Sequence, residues 1–315
     1  MSISSEPLQT RWQAFATYQS ERFPFVAHAP LVFAFAFSAA SYSRLCRGQP
    51  GLPPVLDIAL GGTVALGLFF LLRLVDEWKD RHEDARHRPY RPVPRGLVGF
   101  GELARWGLIT LGIQTLAVLW LGNGLWLWTL PAAVWLGAMS LEFGIGSWLR
   151  KHPLTYAASH MAIMPLFDLF STAIDWHVQG WPPRGVEVFL VLSYGNGFVL
   201  EIGRKLRATG QEEPGVDTYS SLYGTRKAAL MWLGALALTA ATAAWAAWPL
   251  PRGNWALGAL GLLFPAAALV GIRYALCPLP ARAKAVEVAS GVWTLGMYLV
   301  VGATPAIVSG LGGAP

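Results

Sequence analysis

The sequence predicts an all-α integral membrane protein of about nine transmembrane helices, arranged as two four-helix halves plus a ninth helix. Three observations predict it. Only 13% of the 315 residues are charged and 54% are hydrophobic, with mean hydropathy +0.43, where soluble domains are about a quarter charged. The apolar residues gather in stretches near the ~20 residues that cross a bilayer. These stretches are apolar all round, without the alternation of barrel strands, so their backbone polar groups must be satisfied within helices.

Residues 1–24 form a polar N-terminal arm with Glu6 and Glu21 and no apolar core, so no cleavable signal peptide is expected there. Trp12, Phe15 and Tyr18 recur there at helical spacing, predicting a short helix in the membrane interface. The nine spans run from Val26 to Tyr42, Val55 to Val75, Leu103 to Leu121, Leu125 to Phe143, Tyr156 to Ala173, Val186 to Leu200, Ala228 to Trp248, Ala256 to Ala275 and Val286 to Val308. Pro165 and Pro265 fall inside two of them, which membrane helices tolerate when packed against neighbours.

Basic residues orient the chain. Alternate loops hold only Arg44, Arg47, Arg184 and Arg252, and the other 20 of the 24 Lys and Arg lie on the opposite side. The N-terminus and the charged loops are therefore expected in the cytoplasm, with the protein multi-pass in a plasma membrane of bacterial type. The net charge of +6 then reads as topology and attraction to anionic lipid, with no nucleic-acid partner. Cys46 and Cys277 fall on opposite sides of the predicted membrane, so they do not pair.

The sequence becomes specific after the second span. Asp76, Asp80 and Asp84 stand at i, i+4 and i+8, with Glu77 beside them. On a continuing helix they form a carboxylate stripe about 12 Å long. Like charges repel at that spacing, so the stripe calls for a cation. Hard oxygen ligands suit Mg2+, which takes one or two carboxylates plus substrate phosphate oxygens, and a helix C-terminus favours a cation further. A proline-stiffened basic loop follows, in which Arg91 has the fork geometry for phosphate.

A second cluster follows the sixth span: Asn196, Glu201, Arg204, Lys205 and Arg207, then Glu212, Glu213, Asp217 and Tyr219. It stands four spans after the first, which suggests the two halves. Glu142, His160 and Asp168 lie within predicted spans, where ionisable groups are costly and count as functional candidates. The bland alternatives are solvated ion pairs with Arg81, Arg86 or Arg88 for the loop carboxylates, and helix–helix hydrogen bonds for the intramembrane groups.

These residues resemble the UbiA superfamily of membrane prenyltransferases, over nearly the whole chain (residues 1–315 as a single UbiA-like domain). The family's first motif is Asn-Asp-x-x-Asp-x-x-x-Asp followed by an Arg-Pro segment. Asp76-Glu77-x-x-Asp80-x-x-x-Asp84 and Arg91-Pro92 match that spacing. Leu149-Arg150-Lys151 stands where the family has a basic pair, and Gly215 to Gly224 resembles its Gly-containing stretch ahead of span seven. The second motif departs: for the family's Asp-x-x-x-Asp this chain offers Asn196, Glu201, Glu212 and Glu213, with Arg204 and Lys205 among them. One metal is then held less tightly, or a cationic group replaces it.

The resemblance implies a Mg2+-dependent prenyltransferase that ionises an isoprenyl diphosphate and passes the prenyl group to an aromatic or other lipophilic acceptor. It implies Asp76, Asp80, Asp84 and Glu201 as catalytic residues. Those four, with Glu77, Glu212 and Glu213, are the implied metal ligands. Lys79, Arg91, Arg150, Arg204 and Lys205 are the implied diphosphate ligands, and Asn196, His160, Glu142 and Tyr219 are cavity candidates. A UbiA-type terpene cyclase would use the same metal–diphosphate site. A non-catalytic membrane transporter or lipid-binding protein is the non-enzyme alternative, although a transporter puts charge near the bilayer midplane and here it collects at one face.

Overall fold

The computed structural model describes residues 11–49, 51–213, 216–251 and 253–311. Among them every regular element is helical. The interfacial helix α1 spans Arg11–Arg22 and is followed by α2 (Phe25–Cys46), α3 (Val55–Lys79) and the short α4 (Arg81–His87). Then come α5 (Phe100–Leu121), α6 (Trp126–Ser140), α7 (Gly146–Arg150), α8 (Pro153–Met161) and α9 (Ile163–Trp176). The chain continues with α10 (Val186–Arg204), α11 (Tyr219–Tyr223), α12 (Thr225–Ala247), α13 (Gly253–Leu276), α14 (Pro280–Tyr298) and α15 (Thr304–Leu311).

Eight helical stretches are long and apolar enough to cross a membrane. They match eight of the nine predicted spans. The fourth predicted span, Leu125 to Phe143, is the exception. Its helix α6 has 15 residues, about 22 Å at 1.5 Å per residue, short of the ~30 Å hydrocarbon core. Short 3-10 turns, Asn123–Leu125 and Glu142–Gly144, flank it.

The fifth predicted span is broken into α8 and α9 at Ala162. Pro165 lacks the N–H that would bond the carbonyl of Met161. Carbonyls near the break find other donors: Tyr194 Oη donates to the Ala158 carbonyl at 3.0 Å and Trp135 Nε1 to that of Ser159 at 2.9 Å. Side chains thus replace what water cannot supply in the membrane. The last crossing changes pitch at a π-helical segment, Leu299–Ala303. There Gly302 lies against the Ser38 carbonyl of α2 so closely that a Cβ would collide with it. The last crossing thereby closes the bundle onto the first.

The two ends of the bundle differ. At one end the C-termini of α2 and α9 are joined by Asp175, which accepts from Arg47 at 2.6 and 2.9 Å and from Ser43 at 2.9 Å. At the other end the C-termini of α3 and α10 approach the loops before α8 and α12, and a cavity opens there.

Candidate functional site

The cavity measures about 680 Å3. The turn joining α3 to α4 contributes Lys79, Asp80, Arg81 and Glu83. The segment after α6 gives Glu142, and α7 and α8 give Arg150 and Tyr156. The end of α10 brings Glu201 and Lys205, and Asp217, Thr218 and Tyr219 close the far side. Five carboxylates thus face four basic side chains across one cavity.

Local structure fixes these side chains. Helix α3 ends at Lys79, and Asp80 adopts φ −88° and ψ 6° between it and α4. Asp80 has no ion pair within 4.0 Å among the described residues. Burial pushes its carboxyl up to about 6, with Asp76, Asp84 and Glu83 adding and Lys79 opposing. Lys79 Nζ lies 3.8 Å from Asp76 Oδ1 and donates to Tyr156 Oη at 3.2 Å. On the opposite wall Lys205 Nζ lies 2.7 Å from Glu201 Oε1 and 6.0 Å from the centre of the Tyr219 ring. Lys79 stands likewise 5.9 Å from the Tyr156 ring. Each wall therefore places a lysine beside a tyrosine, Lys79 at the hydroxyl end of Tyr156 and Lys205 near the ring of Tyr219. Thr218 holds Tyr219 in place by capping α11: its Oγ1 accepts from Ser221 N at 3.0 Å.

Glu142 and Phe143 both have left-handed backbone, φ 48° and 55°. Non-glycine residues rarely hold that conformation, and it costs of order 1–3 kcal/mol each. The turn carries Glu142 into the cavity, where its Oε2 lies 3.4 Å from Arg150 Nη1.

Several expected ligands are not brought to the cavity. Glu77 is buried behind α3, with Oε1 2.5 Å from Arg22 Nε and 3.4 Å from Arg73. Asp84 is also buried, held by Arg91 at 2.6 Å and Arg88 at 3.2 Å. The change of direction at Asp80 turns Asp84 into this arginine cluster, and Asp76, paired with Lys79, is not among the cavity lining either, so of the expected three-carboxylate stripe Asp80 alone lines the cavity. Arg91 is accordingly engaged with Asp84 and away from the cavity lining.

The second cluster also rearranges. Glu201 is neutralised by Arg204 as well as Lys205, and Arg204 does not line the cavity. Glu212 accepts from Thr218 Oγ1 at 2.6 Å, and Glu213 is exposed. Asn196 is buried deeper along α10, where its Oδ1 accepts from Trp293 Nε1 at 3.1 Å. His160 stacks on Tyr156, centroids 3.9 Å apart, one layer behind the lining. Asp168 is buried in the bundle and accepts from Tyr298 Oη, which also bonds Ser193. The stretch expected from Gly215 to Gly224 begins outside the described residues.

Sequence reasoning missed two contributors. Tyr156 stands at the start of an apolar run and reads as membrane-interface aromatic. Arg22 lies 55 residues from Glu77, and no local pattern links them.

No protein-family model and no curated protein sequence matches the chain. Solved structures do. A digeranylgeranylglyceryl phosphate synthase superposes with TM-score 0.63 at 15% identity, covering 94% of this chain and 99% of its own. A UbiA homologue from Aeropyrum pernix K1 gives TM-score 0.60 at 17% identity, over 90% and 98%. The fold is that of the UbiA homologues. A third, from Archaeoglobus fulgidus and bound to DMAPP and Mg2+, gives 0.50 at 12% identity, over 87% and 97%. The UbiA fold thus extends over nearly all of this chain, and its charged cavity lies at one end of the bundle.

The residues present meet the needs of a divalent cation on one side only. No cluster of three or more His, Cys, Asp or Glu is arranged to hold a metal among the described residues. Asp80 supplies one of the one or two carboxylates that Mg2+ takes beside phosphate oxygens, and Asp76 stands one helical turn before it, outside the cavity lining. Glu201 is already balanced by two cations.

Proposed function

We propose that this chain is a membrane prenyltransferase that ionises an isoprenyl diphosphate in the cavity and transfers the prenyl group to a lipophilic acceptor. The observation that carries the reading is the facing set of carboxylates and basic side chains at one end of a UbiA fold. The cavity's carboxylates outnumber its cations by one, so a diphosphate needs an accompanying cation to enter.

Asp80 on the cavity wall, with Asp76 one helical turn before it, would hold Mg2+, which would supply neutralisation of phosphate charge. Lys79, Arg150 and Lys205 bind the diphosphate oxygens and stabilise the charge that grows as the allylic C–O bond breaks and its electron pair leaves with diphosphate. Such stabilisation commonly contributes more to catalysis than any other single effect. Lys205 occupies the wall where a second metal would otherwise be needed, consistent with Glu201 being committed to basic partners. Tyr156 and Tyr219 line the cavity, and their rings would shield the allylic cation by cation–π attraction. A nucleophilic carbon of the acceptor then forms the new bond and releases its proton.

The test is diphosphate release from prenyl diphosphates of several chain lengths by purified protein, with Mg2+ and with chelator. Wild type should release diphosphate only with Mg2+, and Asp80→Ala should lower the rate at least about 100-fold, as expected when a preorganised charge is lost. The organic product separates transfer from internal cyclisation. No release at any chain length, with membrane extract supplying acceptors, would overturn the reading.

A further inference from the structure

A second cavity of about 520 Å3 lies on the other flank of α3 and shares no lining residue with the first. Its floor is one face of α3, Thr63, Leu66, Gly67 and Phe70, and one face of α5, from Arg105 to Gln114. Helix α1 roofs one end with Trp12 and Phe15, and Phe15 packs edge-on to Trp106 of α5 at 5.0 Å.

Polarity is graded along this groove. Arg11 and Arg105 line its mouth, no carboxylate lines it, and neither arginine has an ion pair among the described residues. Beyond them the walls are apolar as far as Gln114 except for Thr63 and Thr110, whose hydroxyls are used by the Ala59 and Trp106 carbonyls, and Gln114 Nε2 is likewise used by the Val64 carbonyl at 2.7 Å. From Arg105 to Gln114 the helix rises about 14 Å, close to half of the ~30 Å hydrocarbon core. A groove one leaflet deep, mostly apolar along its length with its few polar groups already bonded to backbone, and doubly basic at its mouth, has the shape and charge of one lipid molecule.

We infer that this groove is a binding site for an anionic phospholipid, with one acyl chain lying between α3 and α5 and the headgroup phosphate held by Arg11 and Arg105. Charge complementarity selects the headgroup: guanidinium forks bind phosphate bidentately, and juxtamembrane basic side chains favour anionic over zwitterionic lipid. The inference is independent of the proposed chemistry, because the groove touches none of the residues assigned to it.

Delipidated full-length protein would be given equimolar phosphatidylglycerol and phosphatidylcholine of identical chains, and bound lipid counted by native mass spectrometry. Wild type should retain phosphatidylglycerol with a preference of about tenfold or more. The Arg11→Gln/Arg105→Gln variant should lose that preference, and Thr110→Trp, which fills the groove with both arginines kept, should lose the bound lipid. Phosphatidylglycerol with a photoreactive chain should label the peptide holding Ile109 to Gln114. If Thr110→Trp fails to fold, the arginine variant and the labelling decide alone. Equal retention of the two lipids by wild type, an unchanged preference in the arginine variant, or labelling confined to other helices would overturn the inference.

Discussion

Asp80 and Glu77 are three residues apart, and their surroundings give them different roles. Glu77 is enclosed by Arg22 and Arg73, so Glu77→Ala takes the carboxylate from both half-buried guanidinium groups and leaves Arg22 only Asp84, at 4.0 Å. Breaking a buried pair by removing one partner costs about 3–5 kcal/mol, and a thermal-unfolding series should show that loss even in chelator. Asp80 has the opposite balance. Its carboxyl ionises at about 6 in the folded protein against the usual 3.8, so as pH rises the unfolded chain gives up its proton first. Ionisation therefore opposes folding. The cost is absent below about pH 4 and complete above about pH 6. Asp80→Asn removes it and should stabilise chelated protein at about pH 7.5 by about 1–2 kcal/mol after allowance for solvent screening, read as a higher unfolding temperature, with no gain at about pH 4. The same variant should lose diphosphate release, separating stability from activity. Both residues were visible in the sequence as motif acids. Which of the two faces a cavity was not, because that depends on a backbone turn at Asp80 and on an arginine supplied from a distant helix.

At the scale of elements, α1 illustrates the same limit. Its aromatic spacing predicted an interfacial helix, and the helix is there, with Trp12 81% exposed. Periodicity did not reveal that Tyr18 is fully buried or that Arg22 bonds Glu77. Two neighbouring ion pairs of this region provide a contrast. Arg95–Glu21 is more than a third exposed on both sides, and such pairs contribute about 0–1 kcal/mol. Arg95→Ala should thus barely move the unfolding temperature, while Arg22→Ala leaves Glu77 with Arg73 alone and should lower it by several degrees. Differential scanning of the two variants under one buffer decides this. The broken fifth span was foreshadowed by Pro165 in an apolar run. The donors that make the break tolerable, Tyr194 and Trp135, belong to other helices and carry no such sign.

For the molecule as a whole, hydropathy revealed eight spans because crossing a bilayer demands length and apolarity from each helix separately. Span four fell short because its apolar run continues through 3-10 turns that hydropathy cannot distinguish from helix. Closure of the bundle depends on Gly302 meeting Ser38, a contact between the last crossing and the first. Gly302→Ala inserts a methyl into backbone and should cost about 3 kcal/mol or more by overpacking, read as lost monodisperse protein in size-exclusion chromatography or a lower unfolding temperature. The Arg22–Glu77 contact has a practical consequence of the same reach. The leading helix is a counter-ion carrier for the first acidic motif, so a protease cut or a fusion junction placed between Arg22 and Phe25 acts at a distance. It strips charge compensation from a site more than fifty residues along the chain, and a preparation shortened there would look like an active-site mutant with an intact active-site sequence.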